Sequence, residues 1–170
     1  MPCPCKAPPP VDLVRSLLRY EPTTGIFYWR VSPTRSVLVG SVAGRNSNTG
    51  YRQIGIGGKL YQAHRLAWLY VHGELPDAQI DHKNLDRRDN RIDNLRIATP
   101  SEQARNQRLR ADSTSGFKGV TWDKANRRWL AQIKGDKKRY SLGLFATAEE
   151  AHAAYMAKAI ELFGEFARAA

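Results

Sequence analysis

The chain has 170 residues and a mass of 19.2 kDa, room for one ordinary domain or two small ones, which excludes a large multidomain enzyme. Lys and Arg number 27 against 16 Asp and Glu, a formal charge of +11, so the expected partner is a polyanion, nucleic acid ahead of an acidic membrane surface. Cys3 and Cys5, within the Pro-rich leader MPCPCKAPPP, supply neither a disulfide framework nor four zinc ligands, and no apolar run approaches the ~18 residues of a membrane span. The expectation is a cytoplasmic, non-secreted protein whose residues 1–10 are a disordered leader.

Val11 to Arg19 has the spacing of a short amphipathic helix, and Gly25 to Val31 (GIFYWRV) that of a strand. Residues 32–50, rich in Ser, Gly and Asn, read as a loop. Tyr51 to Ile56 and Lys59 to Ala63 flank Gly57-Gly58 as a hairpin, and His64 to Val71 predicts a helix stopped by Gly73 and Pro76. Ile80-Asp81-His82 ends a short strand, Asn84 to Asp93 is charged loop, and Leu95-Arg96-Ile97 returns as a strand. Thr99-Pro100-Ser101-Glu102 then opens a helix, with a capping box and Pro at the first helical position. An Asp beside a His is what metal-assisted phosphodiester hydrolysis needs: a hard carboxylate for Mg²⁺ or a similar ion, and an imidazole to deprotonate water.

Residues 111–116 (ADSTSG) form a linker, which divides the chain into units 11–110 and 111–170. Residues 113–145 hold 8 Lys and Arg against 2 Asp. Three runs in this part have strand character, Phe117 to Trp122, Arg128 to Lys134 and Arg139 to Phe145, with turn chemistry between them. With period two, Trp129, Ala131 and Ile133 share one face and Arg128, Leu130, Gln132 and Lys134 the other. In the third run Tyr140, Leu142 and Leu144 oppose Arg139, Ser141 and Gly143. The capping box Thr147 to Glu150 starts a helix near Ala148, with Ala148, Ala151, Tyr155, Ala159 and Leu162 as its apolar stripe and Gly164 as its end. The whole is an α+β chain whose second unit is a three-stranded antiparallel sheet, apolar toward one helix and basic toward solvent.

Tyr61-Gln62-Ala63-His64-Arg65-Leu66-Ala67-Trp68, Ile80-Asp81-His82, Asn94-Leu95-Arg96 and Thr99-Pro100-Ser101-Glu102 resemble the HNH endonucleases of the phage and intron-homing type, which have a ββα-metal site. The resemblance covers roughly residues 20–110 and implies Asp81 as metal ligand, His82 as general base and Asn94 as the residue that holds the loop and orients the histidine. It implies Mg²⁺, or another divalent cation such as Mn²⁺, and a second metal ligand on the closing helix. There the family often reads Glu-Asn where this chain has Glu102-Gln103, so Gln103 or, one turn on, Asn106 completes the set.

Gly116 to Val120, Trp129 to Ile133, Tyr140 to Phe145 and Thr147 to Ala151 resemble the AP2 DNA-binding domain. That resemblance covers residues 113 to about 168 and implies a sheet laid in the major groove of double-stranded DNA. It implies contacts from Lys118, Arg128, Gln132, Lys134, Lys138 and Arg139, while Thr121 and Ser141 stand where Arg and Trp are common in the family. Arg87, Arg88 and Arg91, beside Asp81-His82, are expected to hold the DNA backbone.

The function expected is metal-dependent DNA cleavage directed by the AP2-like unit, and the rival is a sequence-reading DNA-binding protein on a catalytically inactive HNH fold. His64 is expected to be a structural hydrogen-bonding residue, and His72 and His152 surface residues. Trp29, Trp68, Trp122 and Trp129 are expected to be core or half-buried. No protein partner is inferable.

Overall fold

The computed structural model describes residues 8–105, 109, 113–135 and 138–167. Its contacts divide the chain into compact units Met1–Thr99 and Pro100–Ala170, a boundary that falls before the linker expected at 111–116. No helix among the described residues is long and apolar enough to cross a membrane.

In the first unit α1 spans Val11–Leu17 and ends because Leu18 turns extended, at φ −128° and ψ 147°. The helix expected to Arg19 is therefore shorter, and Leu18–Glu21 forms β1, which pairs antiparallel with β2 (Ile26–Trp29). Leu18 and Tyr20 alternate inward with period two, opposite Trp29 and Phe27, and burying both outweighs one more helical turn. Residues 32–50 are more ordered than a plain loop, since Val42 bridges Tyr28 and Arg45–Asn46 (β3) pairs with β4 (Arg52–Ile56).

β4 pairs in turn with β5 (Lys59–Gln62) across Gly57-Gly58. Both glycines have positive φ, 56° and 74°, as a two-residue hairpin of this twist requires. Helix α2 (Ala63–His72) ends on Gly73 in the left-handed region. It packs Leu66 and Leu69 on a core with Val14, Leu18, Phe27 and Ile54. β6 (Gln79–His82) pairs antiparallel with β7 (Leu95–Ala98), Asp81 opposite Arg96 and His82 opposite Leu95.

The second unit opens with α3 (Pro100–Arg105). Strands β8 (Val120–Asp123), β9 (Arg128–Gly135) and β10 (Lys138–Phe145) form an antiparallel sheet of order β10-β9-β8, followed by α4 (Ala148–Phe163). The expected capping box is present: Thr147 accepts from the Glu150 amide, and the Glu150 carboxylate accepts from the Thr147 amide. Ala148, Ala151, Tyr155 and Ala159 are the buried stripe, against Val120, Ala131 and Ile133.

Four details differ from the pattern read in the sequence. Phe117 to Gly119 are bend and turn rather than strand, because Gly116 and Gly119 take positive φ, 69° and 71°, which breaks the extended run. A bulge lies in β10, where Ser141 pairs with Gln132 but Gly143 with Ala131, so every later side chain changes face. Leu144 consequently reaches solvent at 37% exposure, and Phe145 turns in beside Trp129. Trp122 is 44% exposed, edge-on to Trp129, and His152 is stacked between Phe117 and Tyr155 rather than on the surface.

Gly119, at φ 71°, lies against the Tyr155 ring, and an added Cβ would stand 2.2 Å from Tyr155 Cδ2 and 2.7 Å from the Gln132 carbonyl oxygen. Gly119→Ala is therefore expected to destabilise the second unit by about 3 kcal/mol, the sum of overpacking and a left-handed alanine, read as a lowered urea midpoint. An unchanged midpoint would mean that Tyr155 is not packed as described.

Candidate active site and nucleic-acid face

Asp81 and His82 end β6, so their side chains leave opposite faces of a two-stranded ribbon that is itself covered on both sides. Both are buried, His82 at 4% exposure. The Asp81 carboxylate meets the buried Arg96 guanidinium across the ribbon, Oδ2 to Nη2 3.5 Å. On the other side His82 Nε2 lies 3.3 Å from Asn90 Oδ1. The Asn90 amide is oriented by its own Nδ2, which donates to the Arg88 carbonyl at 3.0 Å. The oxygen thus faces the ring, Nε2 carries the proton, and Nδ1 is the basic nitrogen.

Asn90, 1% exposed, is the site residue that the sequence reading missed within the charged loop. It is supported by groups distant in sequence: Tyr20 Oη donates to its carbonyl at 2.7 Å, and Gly25 is pressed so close that a Cβ there would stand 2.4 Å from the Arg91 nitrogen. Burial pushes the Tyr20 hydroxyl up to about 12, so it stays a donor. Asn94 bonds across the loop to Asn84 and Asp89. Its Oδ1 accepts from the Asn84 amide at 3.1 Å, and its Nδ2 donates to Asn84 Oδ1 at 3.0 Å and to the Asp89 carbonyl at 2.8 Å. Its hold on the histidine runs through that loop and Asn90.

His64 differs from expectation. From the first turn of α2 its ring packs edge-on to His82 at 5.0 Å, with Tyr51 against both rings at 5.2 and 5.9 Å. Its Nδ1 is buried with no hydrogen-bond partner among the described residues. Burial pushes His82 below the ordinary 6.5, opposed by the Asn90 bond and by Asp81, Asp89 and Asp86. Burial, then the charges of His82 and Arg65, pushes His64 down to about 3.

Both imidazoles are therefore neutral at pH 7. Between its folded and unfolded values His64 binds a proton only in the unfolded chain. Its neutral burial is thus fully compatible with folding above pH 6.5 and costs stability as the pH falls toward 3. From pH 7 to 5 the first unit should lose about 2 kcal/mol through this group, at roughly 1.4 kcal/mol per pH unit, and His64→Phe should flatten the slope in urea titrations.

A divalent cation needs hard oxygen ligands, which Asp81 supplies. Among the described residues no three of His, Cys, Asp and Glu converge. Gln103 is half-buried on α3, and Asn106 lies outside the described residues. Of the three arginines expected on the DNA backbone, Arg87 donates to the Thr49 carbonyl at 2.8 Å and lies over the Tyr51 ring, and Arg91 pairs with Asp89 at 2.7 Å. Arg88 is exposed.

In the second unit, register places Arg128, Leu130, Gln132 and Lys134 of β9 on the face turned from α4, with Arg139, Ser141 and Leu144 of β10 and Thr121 of β8. Lys138 pairs with Gly135 and so leaves the sheet on the opposite side from Arg139. Lys118 lies in the turn before β8.

Comparison with known proteins gives two family matches along the chain. The family model for HNH endonuclease matches residues 61–105, and that for the AP2 domain residues 115–165. Protein 3.8 of Escherichia phage T7 is 30% identical over 111 residues, which are 65% of this chain and 91% of the relative. An uncharacterized HNH endonuclease of Acanthamoeba polyphaga mimivirus is 33% identical over 108 residues, 62% of this chain and 55% of the relative. Among solved structures, the HNH homing endonuclease I-HmuI superposes with a TM-score of 0.39 at 19% identity, over 85% of this chain and 83% of that one. The chain belongs to the HNH endonuclease family and carries an AP2 domain as its C-terminal part.

Proposed function

We propose that the chain is a divalent-metal-dependent endonuclease that hydrolyses DNA phosphodiester bonds, with His82 as general base, Asp81 as a metal ligand and Asn94 as the loop-holding residue. The observation that carries this reading is a buried imidazole in contact with the Asn90 amide oxygen, beside a buried carboxylate on the same strand. His82 Nδ1 takes the proton from the attacking water, and Nε2–H keeps the ring in place through Asn90 Oδ1. Tyr51 and His64 wall the ring on its apolar side and exclude solvent from it. Asp81 would hold Mg²⁺ or Mn²⁺, which when bound supplies charge neutralisation at the scissile phosphate and leaving oxygen, and the candidates for a second ligand, Gln103 and Asn106, come from the sequence resemblance. Gln103 is the preferred second ligand because its position matches the family's.

The DNA-reading part is the outer sheet face of the second unit, with Arg128, Gln132, Lys134 and Arg139 across the major groove and Lys118 at its edge. Arg88 is the backbone contact of the loop, and Arg87 and Arg91 contribute after their present bonds. One observation favours the rival reading of an inactive fold that only binds DNA: the Arg96 guanidinium already offsets the Asp81 charge that a cation would use. Supercoiled plasmid incubated with the full chain, with Mg²⁺ and with chelator, separates the two. Metal-dependent nicking or linearisation supports the nuclease, and retention of plasmid without cleavage supports the rival.

A further inference from the structure

From Pro22 to Gly73 the chain contains no Asp or Glu and six basic residues, Arg30, Arg35, Arg45, Arg52, Lys59 and Arg65. Inside this acid-free stretch the segment from Val31 to Val42 carries Leu38 and Val39, 75% and 64% exposed, the two most exposed of the large apolar side chains described. An adjacent apolar pair that projects from a loop tip within a cationic stretch is a candidate contact surface.

The loop is held firmly. The Gly40 amide donates to the Trp29 carbonyl at 2.7 Å, the Trp29 amide to the Ser41 carbonyl at 3.0 Å, and Ser41 Oγ to the Leu38 carbonyl at 2.6 Å. Ser32 Oγ donates to the Thr34 carbonyl at 2.7 Å and to the Val37 carbonyl, and Val37 itself tucks against the core. Arg52 ties down the return with bonds to the Ala43 and Gly44 carbonyls at 2.9 and 3.1 Å. Leu38 and Val39 are thus a fixed projection. Arg30, Arg35 and Arg45, all exposed, bracket it in the chain, and none of them forms an ion pair among the described residues.

We propose that the Leu38-Val39 tip is an apolar wedge that inserts between base pairs of duplex DNA, with Arg30, Arg35 and Arg45 on the neighbouring phosphates. The proposal rests on the DNA-binding part of the proposed function. Apolar side chains inserted from the minor groove unstack a base step at a cost of a few kcal/mol, and cationic contacts along the bent duplex offset that cost. Flexible pyrimidine–purine steps are the cheapest to open. A second copy of the chain is a poorer occupant. Two side chains cover far less than the roughly 1,200 Å² of a stable pair, and a twofold contact would set three arginines against three.

The test uses the full chain carrying His82→Ala, in chelator, so that the DNA stays intact. Closed circular plasmid is relaxed by a metal-independent topoisomerase in the presence of saturating protein, and the linking number is read on a gel. The wedge predicts a linking deficit that grows with bound protein and falls at least about fivefold in Leu38→Ser/Val39→Ser, while plasmid affinity at the same salt changes by less than about threefold. Both side chains are exposed, so the urea midpoint should not move, which keeps the comparison between folded proteins. Equal unwinding by the double variant overturns the proposal. So does a parent chain that sediments as a dimer while the double variant is a monomer, because the tip is then an interface between copies. A chain with His82 intact that unwinds plasmid but never cuts it with Mg²⁺ retains the wedge and loses the nuclease reading.

Discussion

His82→Ala is expected to reduce plasmid cleavage more than roughly 100-fold, the scale on which a positioned general base contributes, while DNA affinity stays near that of the parent chain. The separation follows from burial: at 4% exposure the ring offers DNA little contact area, and its value lies in the basic Nδ1 left by the Asn90 bond. Asn90→Ala should lose activity by a smaller factor, because the base survives but its tautomer and orientation are no longer imposed. A positioning role predicts that the pH profile of kcat also changes in Asn90→Ala, which a merely structural residue would not bring about. Near-parental nicking by His82→Ala would remove the proposed chemistry, and the neutral pair with His64 would then be packing only.

How much of this site was legible in the sequence depends on how far each cause lies along the chain. Asp81 and His82 are adjacent and flanked by strand and turn signals, so local pattern marks them as candidates, whereas Asn94 enters through the family resemblance, and the loop it bonds begins ten residues before it, at Asn84. Asn90 is one polar residue in a run of charged ones. What singles it out is burial created by Tyr20 and Gly25, some seventy residues away in sequence, and no periodicity records that. His64 was legible as the start of a helix but not as the neighbour of His82, since the fold brings the first turn of α2 to β6.

The same contrast holds in the second unit. The capping box and the alanine stripe of α4 are local and were read correctly, whereas one extra residue in β10 exchanges Leu144 and Phe145 between faces. Alternation read without the bulge therefore fails from Gly143 onward. Gly143 itself, at φ 119°, gives the signal only once the register is known.

Lys134→Ala/Arg139→Ala should weaken binding to duplex DNA and reduce the slope of log K against log salt by nearly 2, since each phosphate contact contributes roughly 0.9. The two residues are cross-strand partners on the face turned from α4, so both reach the same stretch of backbone. Counterion release alone makes two such contacts worth roughly 60-fold in affinity at 0.1 M salt, and the loss should shrink as salt rises. Two lysines serve as controls. Lys158 pairs with Glu161 on α4 and lies over the Tyr140 ring, and Lys138 leaves the sheet on the helix side, so alanine at either should leave the slope within about 0.3 of the parent value. A Lys138 effect as large as that of Arg139 would place DNA at the Gly135–Lys138 end of the β9–β10 hairpin instead of across the sheet. Gln132→Ala, by contrast, should leave the salt slope intact and narrow the difference in affinity between duplexes of different sequence, because an amide on this face reads base edges and carries no charge to exchange for a counterion.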